Sequence, residues 1–238
     1  MKWLALIPSV TLLCQCGTFS SRTPKIPGPA TQVSRAETIK IAQAYCDVRW
    51  KARAANIKHG VDRQGRLVHT PDSTLAAHIG LGGWWRPEEK NTAMPYQWGG
   101  FDTPRSFVEK IQRSYAAGDV STAQKRRLGD SAVSTEAAGV DCSGFISRCW
   151  RLPRSYSTAE LPQISDRIGW EELLPGDILL NDQHVVLFAA WHRQLDAILA
   201  YEAGSFPEWK VSSHHVPTAY LLERGFQPRR YRKITENR

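Results

Sequence analysis

Four strand-like runs follow one another in the second half of the chain, and they restrict its fold more than any other feature. The runs cover residues 177–181, 184–191, 197–203 and 209–214, with short loops between them. Consecutive strands joined by short loops pair antiparallel, because a parallel pair needs a long crossover connection. Helical patterns precede these runs. This order predicts an α+β fold in which helices pack on one face of an antiparallel sheet.

Three helices are predicted ahead of the strands. The first covers about residues 34–52, because Ser34 and Glu37 form a capping-box pattern and apolar residues then recur at helical spacing. The second covers residues 103–118, where a Thr-Pro pair opens the helix and a glycine ends it. The third covers about residues 142–152 and is stopped by the proline that follows.

The first residues have the composition of an export signal. Lys2 precedes an apolar run that is too short to span a bilayer, so residues 1–16 are predicted to be a signal peptide. The end of this segment resembles a lipoprotein leader in which Cys16 becomes the lipidated N-terminus; simple secretion is the alternative. The Ser-, Thr- and Pro-rich stretch 17–33 is predicted to be a flexible tether. The expected location is therefore the periplasm or cell envelope, at a membrane if Cys16 carries lipid.

The rest of the chain is long enough for one sizeable core, and we expect a monomer with one globular domain. Residues 34–95 are predicted to form an N-terminal helical extension. Residues 96–238 are predicted to form the main domain, with an insertion at about 101–138. No periodic pattern assigns residues 57–95, and the polar segment 119–138 is expected to be exposed.

The chain is basic, with a formal charge of +8 and a pI of about 9.4. Such a charge attracts anionic partners, including nucleic acid, acidic lipid and acidic wall polymer. The basic residues are scattered, and no nucleic-acid-binding motif accompanies them. We therefore expect a solvated basic surface that faces the anionic envelope, and no nucleic-acid partner.

Cys142 is the candidate nucleophile. After removal of the leader, the chain keeps Cys46, Cys142 and Cys149, an odd number that leaves at least one thiol unpaired in an oxidising compartment. Cys142 begins a predicted helix, where the free N–H groups favour a thiolate and can receive an oxyanion. Cys46 and Cys149 lie on apolar helix faces instead, which is typical of inert buried cysteines.

His184 and Glu202 are the candidate partners of this thiol. His184 stands at the head of an apolar strand-like run, and Glu202 is a charged residue inside another. If the loop between them consists of residues 192–194, His184 directly faces Glu202, with Cβ atoms ~5 Å apart. A carboxylate at that distance can hold an imidazole, although a different loop length would shift the register.

Several stretches together resemble the NlpC family of papain-like cell-wall peptidases. They are residues 141–145 (Asp-Cys-Ser-Gly-Phe), the Pro-Gly-Asp turn at 175–177, and His184 leading an apolar strand. Residues 96–100 (Tyr-Gln-Trp-Gly-Gly) resemble the aromatic–glycine segment that precedes the cysteine in this family, although about forty residues intervene here. The resemblance covers roughly residues 95–216, and the order of the motifs makes it specific.

The resemblance implies a papain-like fold in which Cys142 is the nucleophile and His184 is the base. Glu202 takes the third position, where many members of the family have a histidine, and it would orient the ring. The implied substrate is the peptide stem of peptidoglycan, cut between D-glutamate and the diamino acid or at the muramoyl amide. This chemistry needs no cofactor.

The resemblance also implies roles for three further residues. Tyr96 would lie near the oxyanion, and Asp141 and Ser143 would either contact substrate or cap the helix. A metal site is not expected, since the sequence has no C-x-x-C or H-E-x-x-H pattern, and the pair at 214–215 would point to opposite faces of a strand.

Two other functions compete with this interpretation. A noncatalytic envelope lipoprotein could use the same fold to bind wall peptides, although the complete set Cys142, His184 and Glu202 argues against it. An acyltransferase or lipid hydrolase with a related papain-like arrangement is the second alternative, and a more apolar groove would favour it.

Overall fold

The computed structural model describes residues 23–204 and 208–236. The predicted signal peptide 1–16 and the predicted lipidation site Cys16 lie outside the described residues. In the part that is described, the α-helices are α1 Arg35–Cys46, α2 Leu75–Ile79, α3 Pro104–Gln112, α4 Ala123–Leu128, α5 Cys142–Cys149 and α6 Thr218–Glu223. The strands are β1 Val33–Ser34, β2 Arg49–Lys51, β3 His59–Val61, β4 Leu67–His69, β5 Lys90–Thr92, β6 Ala116–Ala117, β7 Ala137–Ala138, β8 Ser165–Arg167, β9 Ile178–Leu180, β10 Val185–His192, β11 Ala197–Ala203, β12 Val211–Pro217, β13 Gln227–Tyr231 and β14 Ile234–Thr235. Of these helices, none combines the length and the apolar character that crossing a bilayer requires.

A six-stranded antiparallel sheet with the order β12-β11-β10-β9-β13-β8 forms the centre of the fold. The α+β class is therefore confirmed, and the four predicted strand runs are the neighbours β9 to β12. Two further strands, β13 and β8, extend the sheet beyond β9. The sequence did not predict β13, because its residues, Gln-Pro-Arg-Arg-Tyr, are mostly polar.

Side chains on both faces of the sheet are buried, and helices cover both faces. Leu187 of β10 joins a core with Tyr45 of α1 and Phe145 of α5. Its neighbour Phe188 joins a second core on the opposite face, which includes Leu221 of α6. The expectation of helices on one face is therefore incomplete. Because β10 begins with four consecutive apolar residues, it needs cover on both sides.

Helix α1 begins as predicted and ends earlier than predicted. The Ser34 hydroxyl accepts a hydrogen bond from the Glu37 N–H at 3.2 Å. The Glu37 carboxylate does not complete the capping box but pairs with Arg151 at 3.0 Å. The helix ends at Cys46, and its buried face, which includes Tyr45, packs on α5. The helix thus anchors the thiol-bearing helix to the core.

The chain before α3 is more closely integrated with the rest of the fold than the sequence indicated. Segment 34–95 contains four short strands besides α1 and α2, and α1 shares the main core with the sheet. The tether prediction is wrong for the later part of residues 17–33. The Ala30 N–H donates to the Arg151 carbonyl at 3.0 Å, and the Arg151 side chain donates to the Gly28 carbonyl at 2.7 Å. Hydrogen bonds to the domain therefore hold this stretch in place.

The insertion at about 101–138 folds back onto the domain. Helix α3 starts at the predicted cap and ends at Gln112, short of residue 118, after which β6 pairs in parallel with β7. The prediction that residues 119–138 are exposed is wrong in part. Asp119 and Lys125 are buried as an ion pair, and the strand residues Ala137–Ala138 are buried as well. The polar composition of this segment led to the wrong prediction, because two opposite charges can be buried when they pair with each other.

Candidate active site

Cys142 is the first residue of α5, and its position depends on an N-cap. The Asp141 carboxylate accepts hydrogen bonds from the Gly144 N–H at 2.6 Å and from the Ser143 hydroxyl at 3.1 Å. The capping alternative for Asp141 is therefore confirmed, and the Ser143 hydroxyl supports that cap. Cys142 itself is 8% exposed, so the thiol is nearly enclosed but still reachable.

Residues 96–100 pack directly against this helix start, although the insertion separates the two in sequence. The Gly99 N–H donates to the other Asp141 oxygen at 3.0 Å, and the Gly100 carbonyl accepts the Asp141 N–H at 3.2 Å. A Cβ on Gly144 would lie 2.2 Å from the Gly100 carbonyl oxygen, so only glycine allows this approach. Burial raises the pKa of Asp141 to about 6, against these hydrogen bonds, which lower it. The insertion therefore leaves the contact between the two motifs intact.

Tyr96, which the family resemblance places near the oxyanion, belongs to the same buried core as Cys142. Its side chain is 4% exposed and packs edge-on against Trp209, with ring centroids 5.7 Å apart. Burial raises the pKa of Tyr96 far above its ordinary value, and the neighbouring Cys142 and Asp141 act in the same direction. Tyr96 is therefore a neutral hydroxyl at physiological pH.

His184 connects the thiol to Glu202. Its Nε2 atom donates to a Glu202 carboxylate oxygen, and Cys142 lies near enough to raise the pKa of the ring. Since Nε2 is engaged by Glu202, Nδ1 is the ring nitrogen left for the thiol. Burial alone disfavours the charged ring, but the hydrogen bonds and charges of Cys142 and Glu202 outweigh it and raise the pKa of His184 to about 10. This arrangement favours a protonated imidazole beside the thiol.

The contact between His184 and Glu202 forms in a different register from the predicted one. The hairpin pairs Trp191 with Ile198 rather than with residue 195, and a bulge between Phe188 and Ala190 shifts the register again. Beyond the bulge, Leu187 pairs with Tyr201, so His184 and Glu202 are two positions out of direct opposition. The predicted three-residue loop is wrong because β10 continues to residue 192 and Asp196 adopts a left-handed φ of 44°. Residues offset by two across a hairpin remain within reach of long side chains.

Glu202 also has a second partner, His214, which the sequence analysis missed. The Nε2 atom of His214 lies 2.9 Å from the other Glu202 oxygen. Burial raises the pKa of Glu202, but the hydrogen bonds from the two histidines outweigh it and lower the pKa to about 2. The hydrogen bond to Glu202 in turn raises the pKa of His214. The sequence does place a histidine on the strand that follows Glu202. The sequence analysis considered this histidine only as a possible metal ligand.

Cys46 and Cys149, the other two thiols among the described residues, do not lie in a site of this kind. Burial raises the pKa of Cys46 to about 12, with the charge of Asp47 acting in the same direction. Burial also raises the pKa of Cys149 well above its ordinary value. Both side chains are therefore neutral thiols at physiological pH, and neither contacts a base comparable to His184.

The Pro-Gly-Asp turn has a structural role next to the site. Asp177 is completely buried and pairs with Arg35 of α1 at 2.9 Å and with Arg230 of β13 at 2.8 Å. It also accepts the Leu174 N–H at 3.0 Å, which closes the turn into β9. The turn thus ties α1, β9 and β13 together but places no reactive group at Cys142.

A cavity of about 340 Å³ adjoins the His184–Glu202 pair. Glu202 and His214 form part of its wall, and the apolar side chains in the lining include Val186, Leu221 and Phe226. The cavity could therefore accept an apolar or mixed group of a ligand held beside the imidazole.

Among residues 23–204 and 208–236, no group of three or more His, Cys, Asp or Glu side chains is arranged to hold a metal ion. No protein-family model matches the chain, and no curated protein sequence is significantly similar to it.

Proposed function

We propose that the protein is a cysteine hydrolase of the NlpC type, with a papain-like fold, that cleaves an amide bond in the peptide stem of peptidoglycan. The observation that carries the proposal is the chain of contacts from Cys142 to His184 to Glu202, which begins at a helix N-terminus. A nucleophile, a base and an orienting acid, each next to the following one, are the elements of nucleophilic amide hydrolysis.

In the proposed reaction, the Cys142 sulfur attacks the substrate carbonyl carbon and forms a C–S bond. The free N–H groups at the start of α5 and the Tyr96 hydroxyl stabilise the oxyanion. The C–N bond then breaks as His184 gives its proton to the leaving amine. Water attacks the thioester, His184 takes the proton of that water, and the acid product leaves with Cys142 restored.

Glu202 fixes the ring and stabilises its charge during these steps. An ionised carboxylate on Nε2 keeps Nδ1 directed at the sulfur and favours the imidazolium that forms when the thiol loses its proton. The pKa of about 2 keeps Glu202 ionised at any pH at which the protein would work.

The substrate assignment rests on the motifs and on charge. The bond cut would be that between D-glutamate and the diamino acid, or the muramoyl amide. A net charge of +8 suits the anionic cell envelope, in keeping with export and a lipid anchor at Cys16. Peptide specificity would come from residues 57–95 and from the insertion at 101–138. We propose a monomer that needs no cofactor and binds no nucleic acid.

One observation favours a second candidate, a lipid hydrolase or acyltransferase with the same nucleophile. The cavity beside His184 is lined by Val186, Leu221 and Phe226, which could accept an acyl chain. The polar groups on the same wall, Glu202 and His214, suit a peptide better. A purely binding role for the site would not explain why a buried thiol lies beside an imidazole.

The test is mass spectrometry of purified muropeptides after incubation with the mature protein. We expect a product with a new diamino-acid N-terminus or a free muramoyl carboxyl group, and a thioacyl adduct on Cys142. Cys142→Ala should yield neither, whereas Cys46→Ala, which changes a thiol outside the site, should cleave like wild type. If no muropeptide is cut and a fluorogenic acyl ester is hydrolysed in a Cys142-dependent manner, the lipid alternative replaces the proposal. If neither substrate reacts, the enzyme assignment is wrong.

A further inference from the structure

We propose that His214 is a positioning residue that holds the Glu202 carboxylate in place for His184, so that the site is a chain of four residues rather than three. The catalytic consequence rests on the proposed function, whereas the effect of His214 on Glu202 does not. Neither the sequence motifs nor the comparisons assign a role to His214.

The geometry begins with three adjacent strands, β10, β11 and β12. In the pairing of β11 with β12, His214 lies opposite Ala200 and Ser212 lies opposite Glu202. His214 is therefore the diagonal neighbour of Glu202, on the side away from His184. Side chains in that relation are close enough to interact, and the His214 Nε2 atom lies 2.9 Å from a Glu202 oxygen.

Both oxygens of the Glu202 carboxylate are occupied by imidazoles. One contacts His184 Nε2 and the other contacts His214 Nε2. Two partners on opposite sides of a carboxylate fix its rotation about the last side-chain bond, which a single partner does not. The second ring nitrogen of His214 lies 3.4 Å from the Ser212 hydroxyl, so the His214 ring is itself oriented. The position of the His184 ring thus depends on His214, which holds the other oxygen of the Glu202 carboxylate.

The contact between His214 and Glu202 matters because little of the Glu202 side chain is exposed to solvent. The Glu202 side chain is 15% exposed, whereas that of His214 is 40% exposed. A buried carboxylate is costly without compensating charge, and the partly solvated His214 can carry the compensating proton. The charges of His184, Glu202 and His214 then alternate from imidazolium to carboxylate to imidazolium, so each charge lies next to an opposite one.

The charged groups that face His214 come from three elements. Glu202 of β11 and Glu208 of the preceding loop favour its protonated form, and His184 at the start of β10 opposes it. Glu208 shares its charge with Lys210, whose Nζ atom lies 3.3 Å away. Because the hydrogen-bonded contact is with Glu202, we expect removal of His214 to act first on that carboxylate.

The experiment compares His214→Ala, His214→Gln and His215→Ala with wild type. His215 is a matched control, because it is the next residue of β12, is exposed, and contacts His192 rather than Glu202. Carbon-13 NMR of the Glu202 carboxylate would follow its titration without any substrate. Loss of a neighbouring positive charge should raise the pKa of Glu202 by about 1–3 units in His214→Ala. His215→Ala should titrate like wild type.

Wall-peptide kinetics provide the second measurement. We expect kcat to fall about tenfold in His214→Ala with KM unchanged, since orientation is lost while the nucleophile and the binding surface remain. His214→Gln keeps an N–H donor without the charge, so it should restore most of kcat while the Glu202 pKa stays raised. If His214→Ala does not fold, the titration of His214→Gln decides.

An unchanged Glu202 titration in the His214 variants overturns the proposal, as does an equal change in His215→Ala. In His214→Ala, a raised Glu202 pKa with kcat unchanged shows that His214 neutralises charge but does not position the ring, and it overturns the positioning role. If wild type cleaves no wall peptide, the proposed function fails while the carboxylate titration still decides whether His214 holds Glu202.

Discussion

The Glu202 carboxylate contacts the His184 ring although the two residues are not directly opposite each other in the β10–β11 hairpin. The bulge between Phe188 and Ala190 shifts the strands, and the length of the glutamate side chain spans the offset. We expect that aspartate at the same position, shorter by one methylene, does not span this offset. The identity of the acid is therefore coupled to the register of the hairpin.

Replacement of Glu202 by Gln should lower kcat by ~10–1000-fold and leave substrate binding intact, because orientation and charge are removed while the thiol and the oxyanion donors remain. Cys142→Ala should lose cleavage almost completely. Wall-peptide cleavage and thermal melting of the same preparations measure both effects. The control is Glu109→Gln, which changes an exposed acid of α3 that pairs with Arg105. Full activity in Glu202→Gln would show that another group orients the ring.

Acid should destabilise the protein through Glu202. Its folded-state pKa of about 2 lies below the ordinary 4.5, so the stabilisation is present above pH 4.5 and is lost as the pH falls through about 2. The contribution is on the order of 3 kcal/mol at 1.36 kcal/mol per pKa unit. Glu202→Gln lacks it, and the difference in Tm between the two proteins should narrow between about pH 5 and pH 2. A constant difference over that range would contradict the depressed pKa.

Iodoacetamide at neutral pH should label Cys142 before Cys46 and Cys149 in the folded protein. Burial raises the pKa values of the latter two thiols, so their thiolate fractions are very small. Peptide mapping by mass spectrometry would identify the modified residue. As a control, Cys142→Ala should take up label only after denaturation. Early labelling of Cys46 or Cys149 would mean that the nucleophile is wrongly assigned.

Gly144→Ala should disrupt the site from within the helix. The added Cβ would lie 2.2 Å from the Gly100 carbonyl oxygen, which belongs to backbone and cannot rotate away. We expect a loss of about 1–3 kcal/mol in stability, as in other overpacked positions, and a larger proportional loss of activity because residues 96–100 must move. Gly82→Ala is the matched control, since nothing lies within 4 Å of its Cβ position. Equal effects in urea unfolding would refute this account.

Asp177→Ala should cost about 3–5 kcal/mol, because it leaves the buried Arg35 guanidinium without its buried partner and with only the exposed Glu236 carboxylate. Asp166→Ala removes an exposed pair with Arg232 and should cost about 0–1 kcal/mol. Urea unfolding of both variants gives the comparison. Similar small losses in both would indicate that the buried pair contributes little.

The sequence predicted much of the site because the relevant signals are local. The cap before α5 and the thiol on its first turn lie within four residues, and helix geometry alone brings them together. The apolar runs of β9 to β12 were recognisable for the same reason. By contrast, the polar strand β13 and the burial of Asp119 could not be predicted. Strand β13 pairs with β9, and Asp119 accepts the His69 N–H, so each depends on a partner far away in the chain.

The sequence by itself determined which residues could react: a thiol at a helix start, a histidine leading an apolar strand, and an acid inside a strand. Only the tertiary structure decided how they meet. The hairpin register and the bulge in β10 together set the offset between His184 and Glu202, and the pairing of β11 with β12 brought His214 to the same carboxylate. The physical reason is that contacts within a helical turn follow from backbone geometry, whereas contacts between strands depend on loop lengths and bulges, and each added residue shifts the whole register.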